Sequence, residues 1–405
     1  MTDDIRSVPP GTGGAMPTSG LVTLLATVDI PGEIRLPDGS RLRVGTGEPV
    51  YTLTFRSDRA LRTPVTELGI GRAYVSGDLD VTGDLGALFG VRQALPDKVP
   101  LRQRIRFLYD FARTPRSVNA RAIRRHYSRG DDFYLTFIDR RFRFYSQGLF
   151  HSPEETIEEA AEHKLESMVD GLGLRPGMRL LDIGGGWGGV TQYCGARGVH
   201  VTTLTIAEDS ARHVQRLIDE DDLPGEVFRE DFLDHRPAEP YDHAVIYGVI
   251  EHLPNYRRFA AQVWRVLKPG GRLYLDASAT IQKFSVSAFV RDYIWQGTHT
   301  FMALQDVIAE LLYHGFEILD VTRETRDYEL TMREWARRLD AAEQDITARW
   351  GEETYRAFRL FLWGGAHAFR TNALQAYHLV AERSAAPGPR PSTARRMVQF
   401  LTGLR

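Results

Sequence analysis

The sequence predicts an α/β protein: a doubly wound, mostly parallel sheet, preceded by a small N-terminal α+β domain. Three observations carry this reading. From about Ser152 onward, short apolar runs alternate with helical segments of regular length, the pattern of successive βαβ units. Within that region Met178 to Gly189 reads MRLLDIGGGWGG. An apolar run that ends in an aspartate and breaks into glycines is a buried parallel strand entering a tight turn, because glycine permits the φ values and the close backbone approach needed there. Before it, runs such as GEIRLP, SRLRVG and PVYTLTFRS alternate in polarity and are separated by PDGS and GTGEP, which are strand and hairpin signals.

The chain of 405 residues is long enough for two or three domains, each with its own core. A net charge of −2 gives no global argument for nucleic acid or membrane, and no nucleic-acid partner is predicted. No stretch approaches the ~18 apolar residues of a membrane span, and the start MTDDIRS is unlike a signal peptide, so a cytoplasmic protein is expected. Cys194 is the one cysteine, which excludes an internal disulfide and a cysteine metal cluster. It reads as a small apolar filler, and no metal site is predicted.

In chain order, residues 1–20 are rich in Pro, Gly, Ser and Thr and are expected to be disordered. Residues 21–95 form the small domain, closed by ELGIGRAYVSGDLDVTGDLGALFG. Residues 96–150 read as a basic helical linker and lid. Ten cations, from Lys98 to Arg129, face Asp97 and Asp110 there, and Ile105, Phe107, Leu108, Phe111 and Ile123 supply an apolar side. Such helices favour anionic interfaces; a solvated helix face is the alternative.

Residues 151–384 form the main domain. Its first helix lies in PEETIEEAAEHKLESMVDGL, with Ser152 as N-cap and Pro153 at the first position. Ligands of doubly wound sheets sit at the carboxyl ends of the strands, which directs attention to residues 182–186, 205–208, 230–231, 247–252 and 276–278. An aromatic insert follows, with Phe284, Phe289, Tyr293, Trp295 and Phe301. Residues 385–405 read as a Pro-rich linker and a basic, apolar helix that is either a mobile tail or a second membrane foot.

Asp182, Gly184, Gly186, the strand end at Thr205 and Asp231 fit a nucleoside bearing an amino acid better than a dinucleotide. A dinucleotide needs an acid at the end of the second strand for its ribose, and Glu208 stands there only loosely. Asp231 is placed to accept from an adenine amino group. LDIGGGWGG and the late LKPGG resemble motifs of the S-adenosylmethionine-dependent methyltransferases. That resemblance implies a seven-stranded, Rossmann-like class I sheet and S-adenosyl-L-methionine as cofactor.

The likeness is narrower still. HYSRGDDFY, YSQGLF, the glycines with Trp187, VIEHL and GGAHAFRTNALQAY, in that order, resemble the cyclopropane-fatty-acyl-phospholipid synthases, and GIGRAYVSGDLDVTGDL resembles the small domain of their longer bacterial members. The similarity covers residues 60–383. It implies cofactor contacts from Tyr145 and Ser146, an unsaturated phospholipid acyl chain as substrate at an anionic membrane surface, and leaves a homodimer open. It also implies methyl transfer to a cis double bond and loss of a proton from the resulting carbocation to a bound bicarbonate.

The bicarbonate holders in that family are a cysteine, a glutamate, a histidine and a tyrosine. Glu251 matches the glutamate, but Gln147 takes the cysteine's place, Asp276 the histidine's, and Phe361 or Leu360 the tyrosine's; Ser278 replaces an apolar residue. With three holders changed and two carboxylates close together, bicarbonate is not expected to bind. Asp276 is the predicted base in its stead, its pKa raised by a neighbouring carboxylate in an apolar pocket, and His252 is a second candidate. A changed base opens a methyl- or methylene-branched product beside the cyclopropane. A soluble natural-product substrate, or a lipid-binding protein that has lost turnover, are the alternatives.

Overall fold

The computed structural model describes residues 5–7, 19–95, 105, 130–253, 255–283, 287–295, 299–388, 397–398 and 401–402. The basic stretch 96–129 (apart from Ile105), Phe284 and most of residues 1–18 and 389–405 lie outside the described residues.

The small domain comprises β1 (Ile5–Ser7), α1 (Gly20–Thr27), β2 (Gly32–Arg35), β3 (Arg41–Val44), β4 (Tyr51–Phe55), α2 (Glu67–Val75) and β5 (Leu79–Gly83). Its five strands lie in the order β1-β3-β2-β4-β5. The period-2 alternation read from the sequence is that of a sheet buried on one face: Ile34, Leu42, Val44, Leu53 and Phe55 point into one core with Leu21 and Leu25 of α1. The expectation of disorder across residues 1–20 is corrected at Ile5–Ser7, which pairs in parallel with Arg41–Arg43. An edge strand needs only a neighbour's open backbone groups, not a favourable composition.

The main domain runs α3 (Ile157–Leu172), β6 (Arg179–Ile183), α4 (Gly189–Gly195), β7 (His200–Thr205), α5 (Glu208–Glu220), β8 (Gly225–Arg229), β9 (Tyr241–Tyr247), α6 (Tyr256–Val266), β10 (Leu267–Ala279), α7 (Ala288–Tyr293), α8 (Leu304–Tyr313), β11 (Phe316–Arg323), α9 (Thr325–Ala341), α10 (Glu343–Trp350), α11 (Glu352–Arg370) and β12 (Gln375–Arg383). Its seven strands lie in the order β11-β12-β10-β9-β6-β7-β8. β12 is antiparallel to both neighbours and the other pairs are parallel. Consecutive strand residues feed opposite cores. Leu181, Ala244, Ile246, Leu273 and Leu275 pack with α6 and α8, whereas Leu180, Val245 and Tyr274 pack with α3 and α4, where Cys194 is a buried filler. Burial on both faces is why these strands read as continuous apolar runs.

One local expectation changes. α3 begins at Ile157, not at Pro153: Thr156 caps it and Glu159 reaches back to the Thr156 backbone, a reciprocal pair that outcompetes Ser152. The KPGG segment lies inside β10 as a register shift between Leu267 and Arg272, the extra residues that a bulge absorbs.

β6 sends its chain to β7 on one side, while its other neighbour is β9. The carboxyl ends of β6 and β9 therefore flank a topological switch point, where open α/β sheets hold ligands.

Candidate active site

The turn after β6 is built for close approach. Gly184 and Gly186 have φ of +84° and +51°, which favour glycine. A Cβ on Gly185 would lie 2.1 Å from Thr203 Cγ2, whereas one on Gly186 would meet nothing within 4 Å, so that backbone faces open space. The space is a cavity of about 540 Å³. Asp182, Gly184, Gly186, Thr205 and Asp231 all line it. Asp182 is buried, its Oδ2 has no hydrogen-bond partner among the described residues, and burial alone pushes its pKa up to about 7. A buried carboxylate oxygen without a donor is costly, and a ligand with N–H or ammonium groups would supply one. The residues present thus fit a nucleoside bearing an amino acid.

Opposite this cradle, Tyr145 and Ser146 reach the cavity from residues 139–150. The buried Asp139 carboxylate staples that loop by accepting the N–H groups of Phe142 (2.6 Å), Arg143 (2.9 Å) and Phe144 (2.6 Å), with Arg143 held at a φ of 61°. The Tyr145 ring stacks on Trp335 at 5.2 Å.

Glu251 lies on the 3₁₀ turn Ile250–His252 after β9 and lines the same cavity. Its Oε1 accepts from the Ser278 N–H (3.0 Å) and hydroxyl (2.7 Å). Its Oε2 is buried and has no partner among the described residues. Burial raises its pKa to about 7 against the opposing pull of the Ser278 bonds, and Asp276 adds a smaller push upward. His252 also lines the cavity, with its ring 5.1 Å from those of Trp295 and His299. Burial lowers its pKa to about 4, so near neutrality it is an uncharged, weak base.

The expectation for Asp276 is corrected. It is not among the residues lining the cavity. Its Oδ2 lies 2.6 Å from the Lys164 ammonium, with both side chains 1 % exposed, and its Oδ1 accepts the Gly248 N–H at 3.1 Å. Burial pushes its pKa up and the lysine opposes this. A carboxylate ion-paired away from the substrate space has no lone pair aimed at a substrate proton. Lys164 also donates to Ser146 Oγ (2.6 Å) and the Gln147 carbonyl (2.9 Å), so the ion pair ties β10 to the loop that carries Tyr145.

Gln147 is corrected likewise. Its side chain is fully buried outside the cavity lining and donates from Nε2 to Glu324. Glu324 in turn contacts His378 Nδ1, and His378 Nε2 lies 3.1 Å from Asp320. Phe361 lines the cavity without a hydroxyl. Of the four expected holders Glu251 remains, and these residues do not fit a bicarbonate ion. The sequence reading missed Lys164 and the role of Ser278. A signal for the first existed: Lys164 falls between Ala160, Ala161, Leu165 and Met168 on the buried face of α3. On the surface, ligand-type atoms of His151, Glu155 and His163 lie within 4.8 Å of one another.

A doubly wound sheet with a glycine cradle at its switch point, opening into an apolar chamber with a buried carboxylate, suits an S-adenosylmethionine-dependent methyltransferase, and the family match establishes that class. Residues 114–379 match the family described as mycolic acid cyclopropane synthetase, and the chain belongs to it. Over 400 residues it is 27 % identical to the "Probable fatty acid methyltransferase Rv3720" of Mycobacterium tuberculosis, covering 88 % of this chain and 92 % of that one. It is 28 % identical to the sphingolipid C9-methyltransferase of Candida albicans over 65 % of this chain and 54 % of that protein. Among solved structures, the cyclopropane synthase MmaA2 from Mycobacterium tuberculosis superposes with a TM-score of 0.61 at 27 % identity, covering 65 % of this chain and 98 % of that one. The mycolic acid cyclopropane synthase CmaA1 complexed with SAH and CTAB gives 0.60 at 26 % identity over 65 % of this chain and 98 % of that one. The cofactor is S-adenosyl-L-methionine, as expected from the sequence.

Proposed function

We propose that the protein methylates a double bond in an unsaturated lipid acyl chain and that Glu251 is the base that completes the reaction. The observation that carries this is the Glu251 Oε2, which has no partner among the described residues, in an apolar chamber joined to the cofactor cradle. Asp182, Gly184, Gly186, Thr205 and Asp231 would hold the cofactor, with Tyr145 and Ser146 closing the cradle from the other side. When bound, S-adenosylmethionine supplies an electrophilic methyl, whose attachment to one alkene carbon leaves a cation on the other.

The chain's own residues then decide the fate of that cation. Aromatic faces attract it, and Trp295, Phe301, Tyr328 and Trp335 line the chamber. Glu251 accepts one proton. If the proton leaves the new methyl, the C–H electron pair becomes the C–C bond that closes a cyclopropane. If it leaves a neighbouring chain carbon, the pair becomes a new C=C bond and the product is branched. A carboxylate whose pKa sits near 7 is a better acceptor than one at the ordinary value. Its bonds to Ser278 aim the free oxygen without neutralising it.

An anionic membrane surface is the proposed place of encounter. The basic stretch 96–129 supports this by composition, and Met397, Val398 and Leu401 are exposed apolar side chains. No helix among the described residues is long and apolar enough to cross a membrane.

The test is mass spectrometry of lipids from cells expressing the protein. A gain of about 14 mass units on unsaturated chains, the mass of one CH₂, is expected, and fragmentation separates ring from branch. Unchanged lipids beside methylation of a soluble compound would refute the lipid substrate.

A further inference from the structure

The chamber does not end at Glu251. It continues between α7 and α11 past Phe289, Val290, Leu360 and Phe361 and enters the small domain. There its wall is made of Leu25, Leu53, Leu79, Val81 and Leu85, the same side chains that form the small domain's core, each 5 % exposed or less. The two domains meet at this throat. A Cβ on Gly71 would lie 2.5 Å from Phe289 Cδ2. Arg72 pairs with Asp292 at 2.6 Å, and Arg356 of α11 donates to the carbonyls of Tyr74 (3.0 Å) and Leu79 (3.2 Å). The charged pair on this part of the wall, Glu67 and Arg92, sits 3.7 Å apart and is mutually compensated.

Resting on the lipid reading above, we infer that the small domain is the measuring end of the substrate site: its core receives the methyl-terminal arm of the acyl chain, the segment beyond the reacting double bond. Two features point to this occupant. One cavity is lined by both the active site and the small domain. At the small-domain end its wall is mostly aliphatic, which suits a hydrocarbon terminus and would strand a polar headgroup. The depth of the small-domain pocket then fixes which carbon of the chain lies beside Glu251. The small domain would then set chain-length and positional selectivity while contributing nothing to the chemistry.

Ile70 and Leu88 line this segment and are half-buried rather than central to the core, so they can be changed with least harm to folding. Full-length wild type, Ile70→Phe, Leu88→Phe and Leu88→Ala are given monounsaturated acyl chains with the same carboxyl-to-alkene segment and either a short or a long methyl-terminal arm. The readout is the ratio of kcat/KM for long over short arms, with cofactor binding by calorimetry as the check on folding. Each seated methylene is worth about fourfold. The ratio is expected to fall by at least that factor in the phenylalanine variants and to rise in Leu88→Ala. A ratio equal to that of wild type in Leu88→Ala and in every phenylalanine variant that folds would overturn the inference. Wild type that methylates none of these chains would instead overturn the lipid reading on which it rests.

Discussion

Two carboxylates at neighbouring strand ends meet opposite fates. Glu251 after β9 and Asp276 in β10 are both buried, and burial raises the pKa of both. Asp276 is held by an ammonium at 2.6 Å and a backbone N–H at 3.1 Å. Among the described residues Glu251 has both its donors on one oxygen, leaving the other without a partner. Burial and a shifted pKa therefore do not identify a base. What separates structure from chemistry is whether a lone pair faces the space the substrate would fill.

The largest expected effect falls on the cavity side. Glu251→Gln keeps size and shape but removes the proton acceptor, and general-base losses run to about 10²–10⁴ in rate. Single-turnover assays with labelled methyl donor measure this, with calorimetry to show that the cofactor still binds. On the other side, Lys164→Met leaves Asp276 buried without its ion-pair partner. Stripping one partner from a buried pair costs about 3–5 kcal/mol, so thermal denaturation should shift down by about 10 °C. Replacing both, as Lys164→Met with Asp276→Leu, should restore most of that loss. An intermediate effect belongs to Ser278→Ala. It strips one bond from the Glu251 carboxylate, worth about 1.5–3 kcal/mol for a charged acceptor, and raises the Glu251 pKa further. The rate should rise with pH through about 7 in wild type, as Glu251 ionises, and that limb should move up by about one pH unit in the variant.

A separate effect is on stability against pH. Asp182 and Glu251 have folded-state pKa values of about 7, above their ordinary values, so between about pH 4 and 7 the folded state holds more protons than the unfolded. Their contribution is fully present below that window and is lost as pH rises through 7. Denaturant titrations of the protein without cofactor should show stability falling across this range, and Asp182→Asn should flatten the slope.

The cofactor half of the site was legible because it is local. Strand, aspartate, turn and helix occupy consecutive residues, and the glycines report a backbone requirement that one stretch of sequence can display. The chemical half was not, because its partners come from distant segments. Nothing near Asp276 announces Lys164, and nothing near Gln147 announces Glu324. Ser278 could be recognised as a change from an apolar residue, but its use, holding Glu251, requires knowing that β9 and β10 are adjacent. Sequence reasoning placed two carboxylates together and inferred repulsion; a buried lysine had already taken one of them out of reach.

The most direct measurement sets the two carboxylates against each other in one assay: single-turnover methyl transfer to an unsaturated lipid by Glu251→Gln and by the Lys164→Met, Asp276→Leu double variant. The expected result is near-complete loss of labelled product in the first and product within about tenfold of wild type in the second. The reverse, with Glu251→Gln active and the folded double variant inert, would contradict the assignment of Glu251 as the base.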